Sequence, residues 1–419
     1  MFGTSGIRGP VGEDVTAELA LSVGRAVGYD ADRVVVGRDP RESGRLLVDA
    51  LAAGLRESGT DVVDLGTAAT PTVARGVAWA GADAGVAVTA SHNPATDNGI
   101  KLWQPSGQAY DAALRETVTE RVREGTTALQ PWDALGDRRG WTDAEFDGQT
   151  ADAGASGDTG SARERHVAAL VDAVAEDMGT PPSVVVDLGN GAGGVTVDAL
   201  ARLGCSVETL NAQPDGSFPG RPSEPTAEHC ESLAAVVAET DADVGIAHDG
   251  DADRMRAVAE DGTFLSGDVT LALLAGAAAG AGDRVAAPVD TSLAVDDHLA
   301  AAGVELVHTK VGDVYVAERA SEPGVAFGGE PSGAWIWPAE TLCPDGPLAA
   351  CKLVALASER PLSERAAAVE TYPISRDAVE TSDKRAAMDR VRERVGSGEA
   401  VTTLDGVRVD RGDGWFLLR

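Results

Sequence analysis

Lysine is almost missing from this chain. Only Lys101, Lys310, Lys352 and Lys384 are lysines among 35 basic residues, which face 67 acidic ones and leave a net charge of −32. A chain so short of positive charge lacks the basic surface that nucleic acid or an anionic membrane would require. Cysteine is scarce too. Cys205, Cys230, Cys343 and Cys351 stand apart, with no CxxC spacing and no histidine partner pattern, and read as buried thiols of a reducing cytoplasm. Long apolar runs are absent: the best stretch, Val269 to Ala281, is too short and too rich in Ala and Gly to span a bilayer. The opening MFGTSGIRG has no apolar segment of signal-peptide length, so a cytoplasmic location is expected. The acidity itself reads as a dispersed carboxylate surface that stays hydrated at high salt, and a halophilic source is expected.

What is present is ample apolar material, 43% of 419 residues, enough for two to four packed domains. One phrase recurs three times. Arg33 to Gly37 reads as a buried strand, Ser43 as the cap of a helix with Leu47, Leu51 and Leu55 on one face, and Thr60 to Leu65 as a returning strand. Ser183 to Leu188, a helix near Val195 to Leu203 and a strand from Cys205 repeat it. Arg284 to Val289, a helix capped by Ser292 and running to Ala302, and Val304 to His308 repeat it again. Each is a βαβ-like unit, which predicts an α/β protein built from related modules. Residues 147–163, rich in Gly, Ser, Asp and Thr, read as a flexible connection, and Pro361 or Pro373 marks another boundary. The last stretch differs: an amphipathic helix around Asp383 to Val395, then short strands at Val401 to Thr403, Gly406 to Val409 and Trp415 to Leu418.

Four short segments carry chemistry. Thr89-Ala90-Ser91-His92-Asn93-Pro94 ends an apolar strand, Ala84 to Ala90, and places the hydroxyl of Ser91 on a loop at a strand's carboxyl end. The absence of a GxSxG elbow and the adjacency of Ser91 and His92 speak against a Ser–His hydrolase. Asn98-Gly99 then turns into Ile100-Lys101, where Lys101 is a candidate for proton transfer or phosphate contact. Asp249-Gly250-Asp251-Ala252-Asp253-Arg254 sets three carboxylates at alternate positions of a turn, able to converge on one hard cation, with Arg254 beside them for a phosphate. An EF-hand is rejected because its sixth loop position, normally Gly, is Arg254 and the flanks read as strands. Gly328-Gly329-Glu330-Pro331-Ser332-Gly333 offers a close backbone approach and two hydroxyl partners, and Gly3-Thr4-Ser5-Gly6-Ile7-Arg8-Gly9 is a small-residue loop suited to an anion.

In order along the chain, GTSGIRG, TASHNP, NGIK, DGDADR, TKVGD and GGEPSG resemble the α-D-phosphohexomutase superfamily, which includes phosphoglucomutase/phosphomannomutase and phosphoglucosamine mutase, in an archaeal, halophile-like form. The resemblance covers nearly the whole chain. It implies three related α/β domains with mixed sheets and an incomplete α+β fourth domain around a central cleft, with expected boundaries at 1–150, 151–255, 256–366 and 367–419. It implies reversible transfer of phosphate between O6 and O1 of a hexose phosphate through a phosphoserine at Ser91 and a hexose 1,6-bisphosphate, which also acts as activator. One Mg²⁺ per chain is expected on Asp249, Asp251 and Asp253, with phosphorylated Ser91 as a further ligand. Arg8, Lys101 and His92 are expected near the transferred phosphate, Lys101 giving acid/base help, while Gly329, Glu330, Ser332 and Arg254 bind substrate. A monomer or homodimer is expected. A non-catalytic sugar-phosphate binder and a serine-dependent sugar phosphatase are the competing readings.

Three departures from the family pattern stand out. Ala334 replaces a His after the sugar loop, and His308 and Val314 flank the TKVGD segment where relatives often carry Arg. The sequence ends at Arg419, where relatives continue into a phosphate-clamping loop. A chain lacking that clamp is expected to show a high KM and exposed apolar surface near Trp415 and Phe416.

Overall fold

The structure is a computed structural model and describes residues 1–3, 6–141, 161–375, 377–396, 398, 400–412 and 414–419. The recurrent phrase of the sequence is a recurrent topology. Runs of valine, or of valine and alanine, buried on both faces form the central strands β2 (Arg33–Arg38), β7 (Ser183–Asp187) and β11 (Arg284–Pro288). Each pairs in parallel on one side with the strand that follows its crossover helix: β3 (Asp61–Thr67), β8 (Ser206–Leu210) and β12 (Glu305–Thr309). On the other side each pairs in parallel with β4 (Ala84–Val88), β9 (Val244–His248) and β13 (Val325–Gly329). Those three strands each turn back as an antiparallel hairpin into β5 (Asp97–Trp103), β10 (Met255–Ala259) and β14 (Trp335–Ile336). The first sheet gains two edge strands, β1 (Ile7–Pro10) and β6 (Arg138–Gly140), so its order is β1-β5-β4-β2-β3-β6. A fourth, antiparallel sheet joins β15 (Val401–Thr402), β16 (Val407–Asp410) and β17 (Trp415–Leu418) after the helix Lys384–Val395.

Some helix starts are closed by a local side-chain cap and others are not. The Ser292 hydroxyl accepts from the Ala294 amide, and Asp383 caps the helix that begins at Lys384 by accepting from the Ala386 amide. Ser43 stands before the helix Gly44–Glu57, but its own backbone is already helical and its Oγ accepts from Asn98 Nδ2 instead of a helix amide. Leu47, Leu51 and Leu55 of that helix are fully buried, as their spacing requires. The 147–163 segment lies mostly outside the described residues, as do Thr4 and Ser5 of the N-terminal loop. The fourth domain docks on the third through Arg408 Nη1, which donates to the Val289 carbonyl (2.8 Å), and Asp405, which accepts from the Val311 amide (3.1 Å). Arg408 also covers the Trp415 ring at 4.7 Å, leaving Trp415 half-buried, while Phe416 and Leu418 remain exposed. Among the described residues no helix is long and apolar enough to cross a membrane.

One buried polar network ties the first three domains together. Asp345, which caps the helix Gly346–Glu359, accepts from Arg75 Nε (2.8 Å) and faces His166 Nε2 (3.3 Å), whose Nδ1 meets Thr72 Oγ1 (2.8 Å). Arg75 and Thr72 lie on the helix Thr70–Trp79 and His166 on the helix Ala162–Asp172. Burial alone would raise the Asp345 pKa, but the Arg75 charge and the His166 contact outweigh it and hold the carboxyl below its usual range. Asp345→Asn leaves the buried guanidinium with only the half-exposed Glu340 at 3.9 Å as counter-ion and should cost ~3 kcal/mol. Because the folded pKa is depressed, this stabilisation is present above the unfolded value of about 4 and is lost as pH falls below it. Denaturant melts of parent and variant should therefore differ strongly at pH 7 and converge under acid.

Candidate active site

The three hairpins hold three of the four chemical segments. The β4–β5 hairpin carries Ser91, the β9–β10 hairpin carries Asp249, Asp251 and Asp253, and the β13–β14 hairpin carries Glu330 and Ser332. Each follows the carboxyl end of a parallel strand, the edge of an α/β sheet where ligands bind. The sequence motifs thus occupy one equivalent position in three copies of one unit.

Ser91 and the carboxylate turn meet directly. Ser91 is fully buried, and its hydroxyl donates to Asp249 Oδ2 at 2.7 Å, with Asp253 Oδ1 at 3.5 Å. Asp249, Asp251 and Asp253 are all buried, and each offers an oxygen within 4.8 Å of the others. Lys101, on β5, places its ammonium 2.8 Å from Asp251 Oδ2 and in contact with Asp253 Oδ2. Thr70, at the start of the helix Thr70–Trp79, donates its hydroxyl to Asp251 Oδ2 (2.6 Å) and its amide to the Asp251 carbonyl (2.9 Å). Arg254 donates its amide to Asp249 Oδ1 (3.2 Å) and bridges in antiparallel fashion to Ala334, while the Met255 amide donates to the Gly333 carbonyl (3.0 Å). The carboxylate turn is thereby stitched to the Glu330 hairpin.

Electrostatics within this cluster are set by burial and mutual charge. Burial, then Asp253 and Asp251, push the Asp249 proton affinity well above the usual carboxylate range. Burial would likewise raise Asp251, but Lys101 dominates and holds it below that range. For Lys101, burial lowers the pKa and the facing Asp251 and Asp253 raise it further, so the net shift is upward and the side chain is a fixed ammonium. Lys101, expected to give acid/base help, is thus favoured as a proton donor in this arrangement. His92 is pushed down to about 3 by burial and by the cations of Arg254, Arg8 and Lys101, and is a neutral imidazole at pH 7. Arg8, on β1, pairs in register with Gly99 and projects its charge toward His92, Lys101 and Asp251.

The third hairpin presents Glu330, which is buried and accepts from the Gly312 amide (2.7 Å) and from the Ser332 hydroxyl (3.3 Å). Burial, then the neighbouring Asp313, raise its pKa to about 7. Ser332 is exposed. Gly329 is a packing glycine: a Cβ there would stand 2.8–2.9 Å from Leu271, Phe327 and Trp335 side chains, so its side of the strand faces the core. Ala334 and Val314 are buried, and His308 lies 3.4 Å from Asp296.

Several residues around the site escaped the sequence reading. Arg41, fully buried, directs its guanidinium at the Ser91 loop, and Arg221 binds the His248 carbonyl at the base of the carboxylate turn (2.6 Å). Ser223 touches both loops, with hydrogen bonds to the Ser91 carbonyl (2.7 Å) and the Gly250 amide (3.0 Å). The only local hint for Arg41 is its place two residues after Asp39, just beyond β2; Thr70, Arg221 and Ser223 carry none.

The three buried carboxylates suit a hard divalent cation such as Mg²⁺. They supply oxygen donors only, and Asp251 Oδ1 is buried with no hydrogen-bond partner among the described residues.

Family models describe the same architecture. The phosphoglucomutase/phosphomannomutase alpha/beta/alpha domains I, II and III match residues 1–129, 164–262 and 266–372. The chain belongs to the phosphoglucomutase/phosphomannomutase family and is a phosphohexomutase, an isomerase. A protein of Methanosarcina barkeri named "Probable phosphoglucosamine mutase" is 42% identical over 100% of this chain and 92% of its own length. One of the same name from Methanopyrus kandleri is 44% identical over 100% of this chain and 90% of its own. A crystal structure of a phosphoglucomutase/phosphomannomutase family protein from Burkholderia thailandensis superposes with a TM-score of 0.82 at 27% identity, covering 100% of this chain and 91% of that one.

With a pKa near 3, His92 should not titrate across neutrality. Its ring proton resonances, assigned by comparison with His92→Gln, should stay flat from pH 8 to pH 5. A midpoint near 6.5, the free imidazole value, would show that neither burial nor the surrounding cations hold it down.

Proposed function

We propose that this phosphohexomutase interconverts the 6-phosphate and 1-phosphate of a hexose, with glucosamine phosphate as the preferred substrate. Ser91 carries the phosphate between turnovers, and the intermediate is a hexose 1,6-bisphosphate, which also restores phosphate to Ser91 when added as activator. The observation that carries the reading is the contact of the Ser91 hydroxyl with Asp249 inside a buried carboxylate cluster that Lys101 faces. Substrate preference rests on the full-length relatives named for phosphoglucosamine.

In this reading Asp249, Asp251 and Asp253 hold Mg²⁺, which when bound neutralises charge on the phosphoryl group and on phosphorylated Ser91. The chain's own residues do the rest. The P–O bond to Ser91 breaks as a substrate hydroxyl oxygen bonds to phosphorus, the hydroxyl proton ending, net, on the released Ser91 oxygen, and the reverse transfer uses the sugar's other end after the bisphosphate turns over. Lys101 and Arg254 stabilise the negative charge spread over the phosphoryl oxygens, with Arg8 alongside. Lys101, as a fixed ammonium, hydrogen-bonds an oxygen whose charge grows. His92 stays neutral and borders the phosphate. Glu330 and Ser332 accept from and donate to sugar hydroxyls, the Gly329 backbone positioning that loop. Domain boundaries near 150, 255 and 366, a monomer or homodimer, and a cytoplasmic location complete the proposal.

Intact mass after incubation with a hexose 1,6-bisphosphate should show one phosphate, lost in Ser91→Ala. With Mg²⁺, glucosamine 6-phosphate should give the 1-phosphate faster than mannose or glucose 6-phosphates, and Ser91→Ala should lose turnover at least 10³-fold, the order typical of a removed nucleophile. Release of inorganic phosphate would instead indicate a phosphatase, and thermal stabilisation by the sugar phosphate without turnover a binding protein. A second measurement concerns Glu330. Its raised pKa means that the hydroxyl-accepting carboxylate forms only as pH rises through about 7, so KM should fall across that window. Glu330→Gln should abolish the component of the pH profile that does not belong to the substrate phosphate.

A further inference from the structure

Arg41 uses all five of its N–H donors, and four of them go to one loop. Nε donates to Asp39 Oδ2 (2.8 Å), Nη1 to the carbonyls of Pro94 (2.5 Å) and Asp97 (2.9 Å), and Nη2 to those of Ser91 (2.8 Å) and Asn93 (2.8 Å). The same Asp39 oxygen accepts from the Thr89 hydroxyl (2.7 Å), whose oxygen accepts from the Ser91 amide (2.8 Å). Both backbone polar groups of Ser91 are thus held in one closed ring through Thr89, Asp39 and Arg41. Ser91 sits in the left-handed region at φ 54°, a conformation that is strained for a non-glycine residue and persists only where its surroundings impose it.

The second domain completes the ring. The Ser223 hydroxyl donates to the Ser91 carbonyl (2.7 Å), taking the lone pair that Arg41 leaves, and its oxygen accepts from the Gly250 amide (3.0 Å) between Asp249 and Asp251. A single hydroxyl therefore joins the serine loop of one domain to the carboxylate turn of the next. The approach is close: a Cβ on Gly250 would stand 2.7 Å from Ser223 Oγ and 3.0 Å from the Ser91 carbonyl. Arg221 anchors Ser223 from its own side, paired with Asp187 (2.6 Å) and bonded to the His248 carbonyl (2.6 Å), and the Phe218 ring covers the Arg41 guanidinium at 4.9 Å.

We infer that Arg41 and Ser223 are positioning residues for phosphoryl transfer, sharing the Ser91 carbonyl so that the left-handed turn aims Oγ at the carboxylate cluster and keeps the two loops in register. Neither side chain touches the Ser91 Oγ or the carboxylates that the Proposed function assigns to Mg²⁺, on whose assignment of Ser91 this inference rests. Their contribution is geometric, and misplacement on the order of 1 Å costs about 10²-fold in rate.

The test follows the rate at which Ser91 acquires phosphate from glucose 1,6-bisphosphate, by intact mass of quenched samples, together with kcat, KM and melting temperature. Ser223→Ala should slow phosphorylation and kcat about tenfold with KM within about twofold, a step smaller than full misplacement. Ser223→Thr, which restores the hydroxyl, should recover most of the rate. Arg41→Lys, which keeps the charge but not the fork, should lose about 10²-fold. If Arg41→Lys fails to fold, Thr89→Val opens the same ring from its other arm and should fall in the same direction. Phosphorylation and kcat unchanged in Ser223→Ala, or lost in proportion to stability and not recovered by Ser223→Thr, would overturn the inference. A parent that never acquires phosphate would overturn the assignment of Ser91 as well, which separates the two failures.

Discussion

Three carboxylates buried within 4.8 Å of one another repel, and the rest of the site is arranged around that repulsion. In water the cost would be screened; in the interior it must be met by fixed charges and donors. Lys101 arrives from β5 of the first sheet, Thr70 from the start of the helix after β3, and the Ser91 hydroxyl from the β4–β5 hairpin. All three belong to the first domain, whereas the carboxylates belong to the second. The electrostatic demand of one domain is thus satisfied by the other, so the contact that creates the site also joins the two domains.

The repetition of one βαβ-plus-hairpin unit explains why this gathering is possible. The serine loop, the carboxylate loop and the Glu330 loop each lie on a sheet edge of their own. Three copies of the same hairpin, each at the carboxyl end of its own parallel strand, can be turned to face a common point. The bonds from Arg254 to Ala334 and from Met255 to Gly333 then tie the second hairpin to the third, as Ser223 ties the first to the second. Behind them the Asp345–Arg75–His166 network holds the helices of the same three domains.

Much of this was legible in the sequence. The valine runs, the helix faces and the motifs on their strand ends are local signals, and the three βαβ units stand where periodicity puts them. Ser91 and the three aspartates stood out only through the order of all the motifs along the chain, since a serine after an apolar strand or an acidic turn is common by itself. What stayed hidden depends on partners far along the chain. Ser223 lies 132 residues from Ser91, and Arg75 lies 270 from Asp345. No spacing rule connects such pairs. Lys101 was legible as a site residue from its rarity, but the protonation state was not, since that follows from two carboxylates that only the fold brings to it. Ser43 looked like a cap because capping is a local statistic, and Asn98, brought in by the sheet, claimed the hydroxyl instead.

The scarcity of lysine sharpens the same physics. A chain of net charge −32 repels anions at long range, so a phosphate-handling site must hold positive charge where solvent and salt screen it least. Lys101 occupies that interior position, and the half-buried Arg8 and Arg254 stand beside it. Arg41 and Arg221 are spent differently: each is paired with its own aspartate, Asp39 or Asp187, and aims its remaining donors at backbone carbonyls. The first set creates the local field and the second fixes the loops that lie in it. Arginine can do both tasks because its charge is permanent and its donors are directional, whereas the one buried lysine serves only as a point charge.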